Sequence, residues 1–211
     1  MKIGLYGGSF NPVHYGHLHV AETALEKLSL DRLLIIPAAV SPFKTAAPEG
    51  PPDAARVKLL KAVFGKLPRT EIDEREITRG GVSYAIDTVR EIAAENPGAE
   101  LIFLIGEDSA EGLPRWKAYE ELKKLCRFEV FPRTKESSTA LRELFAAAKV
   151  TVNPDREMYE RVREGVLRKG GFCPCRLQKT PENFCPCEEF QAQLRDETFH
   201  GFCHCRMFYK P

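Results

Sequence analysis

The sequence predicts an α/β protein with a Rossmann-like parallel sheet, followed by a small helical and loop module. Three observations predict this architecture: apolar runs of strand length alternate with helix-period segments over residues 1–149, a glycine pair follows the first apolar run, and six of the seven cysteines fall between Cys173 and Cys205. Such alternation is typical of a parallel sheet covered by helices on both faces. Sheets of this kind bind ligands beyond the carboxyl ends of their strands.

The apolar runs and the residues that interrupt them give the elements of the first 149 residues in order. Short apolar runs predict strands at 2–6, 32–36, 70–77, 101–105 and 128–131. Helical spacing of apolar residues predicts helices at 16–28, 53–67, 83–94, 116–125 and 137–148. Asp53 and Ser83 are predicted helix caps, because their side chains can accept hydrogen bonds from the first free N–H groups of a helix.

A joint at residues 149–155 predicts two domains, 1–149 and 150–211. Asn153-Pro154 opens a polar amphipathic helix over 156–169, which Gly170-Gly171 ends. The residues after this helix show little periodicity of apolar residues and contain the cysteine pairs. Roughly 60 residues bury a limited core, so a metal that staples the module is physically reasonable.

Composition excludes several classes of protein. Across 211 residues the formal net charge is +1, without the basic excess that a nucleic-acid binder uses to displace counterions. No apolar run approaches the roughly 20 residues that span a bilayer, and the first residues do not resemble a signal peptide. We therefore expect a cytoplasmic protein without nucleic-acid or membrane partners. In that compartment, a dense cysteine cluster indicates a metal or redox site rather than a disulfide scaffold.

The glycine pair opens the first candidate site, in residues 7–18 (GGSFNPVHYGHL). Glycines allow a ligand to approach the backbone closely, and the start of the following helix favours an anion. His14 and His17 are three residues apart and share a helical face, where two imidazoles can bind phosphate oxygens. The alternative interpretation is a glycine turn beside two surface histidines.

This segment resembles the H-x-G-H signature of a nucleotidyltransferase superfamily, and further segments extend the resemblance. They are Ser41-Pro42-Phe43-Lys44, Ser83-Tyr84-Ala85-Ile86-Asp87-Thr88, Gly106-Glu107-Asp108-Ser109, Leu113-Pro114-Arg115-Trp116 and Ser137-Ser138-Thr139-Ala140-Leu141-Arg142. In this order, over residues 1–149, they are similar to bacterial nicotinate mononucleotide adenylyltransferases. The resemblance implies transfer of AMP from ATP, with Mg²⁺, to nicotinate mononucleotide, giving deamido-NAD and pyrophosphate.

The resemblance also assigns site residues. The implied catalytic groups are His14, His17 and Lys44. The implied ATP-binding residues are Gly8, Ser9, Phe10, His14, His17, Ser138, Thr139 and Arg142. The implied substrate-binding residues are Lys44, Tyr84, Asp108 and Trp116, whose flat ring can stack on a pyridine ring.

Two departures from the family pattern bear on the substrate. Phe43 replaces the histidine that precedes the lysine in the family, which removes a polar contact to phosphate or ribose. Ala85 replaces a threonine that helps to hold the nicotinate carboxylate. The alternative to nicotinate mononucleotide is therefore another mononucleotide or pantetheine phosphate as acceptor.

The second candidate site consists of three cysteine pairs, Cys173-Pro174-Cys175, Cys185-Pro186-Cys187 and Cys203-His204-Cys205. Six thiols exceed the four ligands of a tetrahedral zinc site or of a 4Fe-4S cluster. Two thiols then remain, and such a pair can open and close a disulfide. The count favours a cluster with a dithiol, and the alternative is a zinc-binding interaction module without redox activity.

Residues 150–211 resemble the catalytic subunit of ferredoxin–thioredoxin reductase, although the spacing between the pairs differs from the plant form. The resemblance implies that Cys173, Cys185, Cys187 and Cys203 bind a 4Fe-4S cluster and that Cys175 and Cys205 form the redox disulfide. His204 is the implied proton donor. The implied partners are a ferredoxin-like electron donor and a thioredoxin-like disulfide target.

Overall fold

The structure is a computed structural model that describes residues 1–43, 52–132, 134 and 137–211. The chain divides into two compact units. The first unit contains Met1–Pro12 and Gly16–Lys135, and the second contains Val13–Tyr15 and Glu136–Pro211. The division by function at residue 149 stays a prediction.

The first unit is built on a five-stranded parallel sheet, as the alternating pattern predicts. Its strands are β1 (Lys2–Gly8), β2 (Arg32–Pro37), β3 (Thr70–Ile72), β4 (Glu100–Gly106) and β5 (Arg127–Phe131). They lie in the order β3-β2-β1-β4-β5, and every neighbouring pair is parallel. The Rossmann-like α/β architecture is therefore confirmed.

Within residues 1–43 and 52–125, the structure describes six α-helices. They are α1 (Tyr15–Lys27), α2 (Asp53–Phe64), α3 (Arg75–Arg79), α4 (Ala85–Glu95), α5 (Glu107–Ala110) and α6 (Tyr119–Leu125). Successive residues along the central strands, such as Leu34 and Ile35, lie on opposite faces of the sheet, and both are buried. Both faces are therefore covered, and this explains why the strands are apolar without interruption.

Four local predictions in this unit are wrong, one of them the start of the 116–125 helix, which begins at Tyr119. The extended segment ends at Ile72, because Arg75 pairs with Asp73 at 2.8 Å and begins α3. Asp53 is the first residue of α2 instead of its cap. Ser83 does not cap α4, because its hydroxyl accepts a hydrogen bond from the backbone N–H of Ala39 at 2.9 Å.

The second unit contains three helices and a small antiparallel sheet. The helices are α7 (Ser138–Ala147), α8 (Arg156–Arg168) and α9 (Glu188–Arg195), and the strands are β6 (Thr151–Val152), β7 (Gly201–Phe202) and β8 (Phe208–Lys210), in the order β6-β8-β7. Its core is an aromatic stack of Phe190 on Phe208 (centroids 5.9 Å apart, planes at 10°) beside four buried cysteines.

A buried lysine ties the last strand of this unit to α9. Lys210 Nζ donates to the carbonyls of Leu194 at 3.3 Å and Asp196 at 2.6 Å, where the helix ends. A cation is favoured at that end of a helix, and here it also fills carbonyl acceptors that the helix leaves open. Within the described residues, no helix combines the length and the apolar character that crossing a membrane requires.

Candidate active site and cysteine cluster

The strand order places a ligand-binding crevice at the carboxyl end of β1. After β1, the chain adds β2 and then β3 to one side of it, and it then crosses to the other side of β1 to add β4 and β5. The direction of the sheet's construction therefore reverses between β1 and β4, and open parallel sheets bind ligands at such a point. The turn after Gly8 and the turn after Gly106 both leave the sheet at this edge.

A buried arginine of α2 stabilises the turn after β1. Phe10 has a φ of 44° and is buried, with its ring against Tyr6 and Phe64. Arg56 of α2 donates to the carbonyl oxygen of Ser9 at 2.8 Å and to Asp53 at 2.7 Å. The geometry of the glycine turn therefore depends on α2.

Sequence reasoning missed Arg56. It lies on the buried stripe of α2 with Val57, Leu60, Val63 and Phe64. A charged residue on an apolar helical face needs a partner, because an unpaired buried charge is costly. The place of Arg56 on the apolar face of α2 was the sequence feature that indicated a buried partner, although the sequence does not show which carbonyl oxygen it contacts.

The two motif histidines lie at the beginning of α1. His14 is buried and precedes the helix, while His17 lies in its first turn and is half-buried. The His17 ring centroid is 4.9 Å from that of Phe10 and 6.3 Å from that of Tyr6. These rings fix the orientation of the imidazole, and the free N–H groups of α1 add positive potential at the same place.

Trp116 lies in an aromatic group at the β4 side of the crevice. Phe103 and Phe128 contact it with their planes at 83° and 87°, and Phe43 contacts it on a surface open to solvent. Trp116 itself is half-buried and precedes α6 instead of beginning a helix there. Asp108 is exposed on α5, directly after β4.

Tyr84 lies at the N-cap of α4, and a lysine that sequence reasoning missed covers its ring. Lys117 Nζ is 4.3 Å from the Tyr84 centroid and 3.0 Å from the carboxylate of Asp87. The ammonium group therefore stands beside the first turn of α4, where Ala85 replaces the threonine of the family. Its position next to Trp116 in the sequence was the only available signal.

The remaining predicted ATP-binding residues belong to the second unit. Ser137 caps α7 by accepting from the N–H of Ala140 at 3.3 Å. Ser138 and Thr139 occupy the first turn, and Arg142 donates to the Thr139 hydroxyl at 3.2 Å. The predicted helix start is therefore present. Lys44 lies outside the described residues.

Comparison with known proteins assigns the fold and the motif to one family. The family model for cytidylyltransferase-like proteins matches residues 5–165. The chain belongs to the cytidylyltransferase-like family. Within it, the chain is 36% identical to a relative from Aliarcobacter butzleri, covering 68% of this chain and 78% of the relative. It is 37% identical to one from Gemmatimonas aurantiaca, covering 82% and 86%.

Both relatives carry the name nicotinate-nucleotide adenylyltransferase, qualified as probable. A solved structure from Vibrio parahaemolyticus, assigned to the same enzyme class, has a TM-score of 0.56 and 23% identity, covering 69% of this chain and 88% of that one. The structural likeness shows the shared fold. Together with the sequence matches, it shows that the cytidylyltransferase-like part is a nicotinate-nucleotide adenylyltransferase-like domain.

The cytidylyltransferase-like match ends at residue 165, before the first cysteine pair. All seven cysteines are free thiols. Cys173, Cys187, Cys203 and Cys205 are buried in one cluster, Cys185 is half-buried and Cys175 is exposed. The sulfurs of Cys203 and Cys205 are 3.6 Å apart. His204 is exposed between them in sequence.

Hydrogen bonds divide the clustered thiols into two kinds. The thiols of Cys187 and Cys205 donate to Cys173, so the pKa of Cys173 is lowered and the pKa values of both donors are raised. Cys205 also lowers the pKa of Cys203 to about 6. Burial raises the pKa values of Cys175 and Cys185. Cys173 and Cys203 are therefore the members of this cluster whose pKa values are lowered.

Backbone N–H groups also reach two of the sulfurs. Cys173 accepts from the N–H of Cys175, and Cys203 accepts from that of Phe208 at 3.3 Å. Cys187 is the N-cap of α9, so its sulfur stands at the positive end of that helix.

No group of three or more His, Cys, Asp or Glu side chains within residues 1–43, 52–132, 134 and 137–211 has an arrangement that could hold a metal ion. The relatives above do not carry the reductase prediction either, since they are named for adenylyl transfer alone. The cluster of four buried thiols is therefore the structural finding, and the metal belongs to the proposals below.

Proposed function

We propose that the chain transfers the adenylyl group of ATP to nicotinate mononucleotide, releasing pyrophosphate and forming deamido-NAD. The observation that carries the proposal is the glycine turn and H-x-G-H segment at the switch point between β1 and β4, in a chain of this family. The names of the relatives supply the acceptor. Trp116 at the same edge suits an acceptor that carries a flat ring.

The reaction needs alignment and charge stabilisation more than proton transfer. An oxygen of the mononucleotide phosphate forms a bond to the α-phosphorus of ATP, and the bond from that phosphorus to the β-phosphate oxygen breaks. The attacking oxygen is already ionised, so no general base is required. His17 donates to the phosphoryl oxygens as their charge grows, at the positive end of α1. Lys44, Ser138, Thr139 and Arg142 are the proposed further phosphate ligands.

Magnesium fits the residues at this edge. Mg²⁺ keeps phosphate oxygens and water as most of its ligands and takes one or two carboxylates. Glu107 and Asp108 are exposed carboxylates directly after β4, and they would hold the ion with ATP. When bound, the ion neutralises charge on the phosphates.

Pyrophosphate release by the full chain tests the proposal. With Mg-ATP we expect turnover with nicotinate mononucleotide and little with phosphopantetheine. His17→Ala should lower kcat by about 10² to 10³, the usual effect of removing a group that stabilises transition-state charge. His19→Ala is the matched control, because His19 is an exposed histidine of the same helix. Turnover with phosphopantetheine alone, or an active His17→Ala, would overturn the proposal.

We also propose that the second unit is a 4Fe-4S disulfide reductase module. Its support is the group of four buried thiols, Cys173, Cys187, Cys203 and Cys205, together with the N–H of Phe208, which donates to the Cys203 sulfur at 3.3 Å. Sulfur-only donors suit iron–sulfur clusters and zinc alike. The proposed ligands are Cys173, Cys185, Cys187 and Cys203. When bound, such a cluster would carry electrons one at a time.

The remaining cysteines would carry out thiol–disulfide exchange. Cys175 is exposed, so its thiolate can attack one sulfur of a target disulfide and release the other as a thiol. Cys205 then attacks the Cys175 sulfur, which frees the second target thiol and leaves a Cys175–Cys205 disulfide. Two electrons from a ferredoxin-like donor and two protons restore the dithiol. His204 is the proposed proton donor.

Metal analysis after anaerobic purification of the full chain tests the module. We expect brown protein with iron and inorganic sulfide in equal amounts. Cys187→Ser should lose iron, whereas Cys126→Ser should keep it, since Cys126 is buried in the first unit. Colourless protein loaded with zinc would overturn the reductase proposal and favour the zinc-binding interaction module.

A further inference from the structure

We propose that Phe43 is the second wall of the binding site for the pyridine ring of the mononucleotide, opposite Trp116. The inference rests on the proposed adenylyl transfer to a pyridine mononucleotide and names a residue that selects this acceptor. No motif assigns Phe43 a role, since the family carries a histidine at this position. Phe43 is exposed, and its ring is tilted toward Trp116.

Phe43 is an exposed phenylalanine in a turn, outside the core. Its side chain is 59% accessible, and its backbone N–H is 3.4 Å from the Ser41 hydroxyl, which closes the turn that presents it. Val40 and Val82 are also exposed and form a backbone bridge nearby. An apolar surface of this kind at a ligand-binding edge indicates contact with an apolar part of a ligand.

The aromatic neighbours of Trp116 differ in their orientation to the indole. Phe103 and Phe128 contact it with their planes nearly perpendicular, which locks the indole in place. Phe43 is the contact closest to parallel, with planes at 37° and centroids 6.2 Å apart. Phe43 therefore contacts Trp116 with its ring tilted toward the indole face, instead of packing edge-on as the core rings do.

A flat ring fits between Phe43 and Trp116 once Phe43 moves outward. A planar ring held between two others needs about 7 Å, twice the roughly 3.5 Å contact distance of carbon atoms. The present 6.2 Å is short of this by about 1 Å, a movement that an exposed turn allows. The ring of nicotinate mononucleotide carries a positive nitrogen bound to ribose, and the faces of aromatic rings attract such cations.

The fluorescence of Trp116 offers a direct assay, because the chain contains one tryptophan. Nicotinate mononucleotide, titrated without ATP, should quench this fluorescence, while ribose 5-phosphate should not. Phe43→Ala should raise the Kd for the mononucleotide about tenfold, the equivalent of one stacked cation–aromatic contact. Phe43→Tyr keeps the ring face and should bind like the parent chain.

Two controls separate this role from a structural one. Val152→Ala removes another exposed apolar side chain, in the second unit, and should leave the Kd unchanged. The KM for ATP should also stay unchanged in Phe43→Ala. An unchanged Kd in Phe43→Ala, or equal losses for ATP and mononucleotide, would overturn the proposal.

The outcome also distinguishes this inference from the proposed reaction. If quenching depends on Phe43 but no pyrophosphate forms with ATP, the ring site is supported and the adenylyl-transfer proposal fails. If pyrophosphate forms and Phe43→Ala binds nicotinate mononucleotide normally, the reaction is supported and the role of Phe43 is rejected.

Discussion

Replacement of Arg56 by methionine should weaken the first unit and slow adenylyl transfer together. The guanidinium is buried and bridges the Ser9 carbonyl and the Asp53 carboxylate. Methionine fills a similar apolar volume without leaving a buried charge. The change therefore isolates the two hydrogen bonds, and one of them shapes the turn that we propose to bind phosphate.

The two bonds differ in their contribution. A hydrogen bond from a charged donor to a buried carbonyl contributes about 1.5–3 kcal/mol. The Asp53 carboxylate is 53% exposed, so solvent screens its ion pair with Arg56 to about 0–1 kcal/mol. The Arg56→Met chain should therefore lose about 2–4 kcal/mol of unfolding free energy, most of it from the Ser9 contact.

Urea unfolding followed by Trp116 fluorescence measures this loss, since Trp116 reports on the first unit alone. Asp53→Asn is the matched control: it removes the ion pair, keeps the Ser9 contact and should cost less than about 1 kcal/mol. We expect kcat to fall about tenfold or more in Arg56→Met, because a misplaced binding turn loses alignment. Equal stability of the two variants, or an unchanged kcat in Arg56→Met, would refute the reasoning.

Three further predictions concern other parts of the chain. A Cβ at Gly165 would lie 2.9 Å from the Cβ of Pro174, so Gly165→Ala should lower the free energy of unfolding by about 1–3 kcal/mol through this clash. The higher helix propensity of alanine should offset about 1 kcal/mol of that loss. The variant should also bind less metal, and full metal content would contradict this prediction. Burial raises the pKa of Cys126 to about 12, so iodoacetamide should label it only in urea, as mass spectrometry of the peptides will show. The hydrogen bond from Arg32 lowers the pKa of Glu71 below its ordinary value of 4.5. The stability that this pair adds is therefore complete at a pH above 4.5, and it is lost as the pH falls through the lowered pKa of Glu71. Urea unfolding at about pH 6 and about pH 3 should show a smaller acid loss in Arg32→Met than in the parent chain, and equal losses would contradict the assignment.

Local signals predicted what depends on local geometry. The glycine turn after β1, the helix start at Ser138 and the parallel sheet follow from short-range patterns, and the structure contains all three. The Ser83 cap failed because a backbone group 44 residues away takes its hydroxyl. The role of Arg56 also escaped because its partner Ser9 is 47 residues away.

The cysteine pairs show the same division. The three pairs predicted a metal or redox site in the tail, and four of their thiols are buried together. Which sulfurs accept backbone hydrogen bonds depends on the path of the chain before β8. That path does not follow from the spacing of the cysteines. The sequence could therefore locate the cysteine cluster but could not show which of its sulfurs accept hydrogen bonds.

Tyr15, between the two motif histidines in sequence, has a structural consequence for how the gene product can be dissected. Its ring centroid is 6.5 Å from that of Phe172 and 6.3 Å from that of Phe184, and each of these residues directly precedes a Cys-Pro-Cys pair. In a fragment that ends before residue 150, Tyr15 would lack both of these aromatic neighbours. The tail that bears the thiols is thus a scaffold for part of the H-x-G-H segment, and kinetic work on an excised amino-terminal fragment would describe an altered protein.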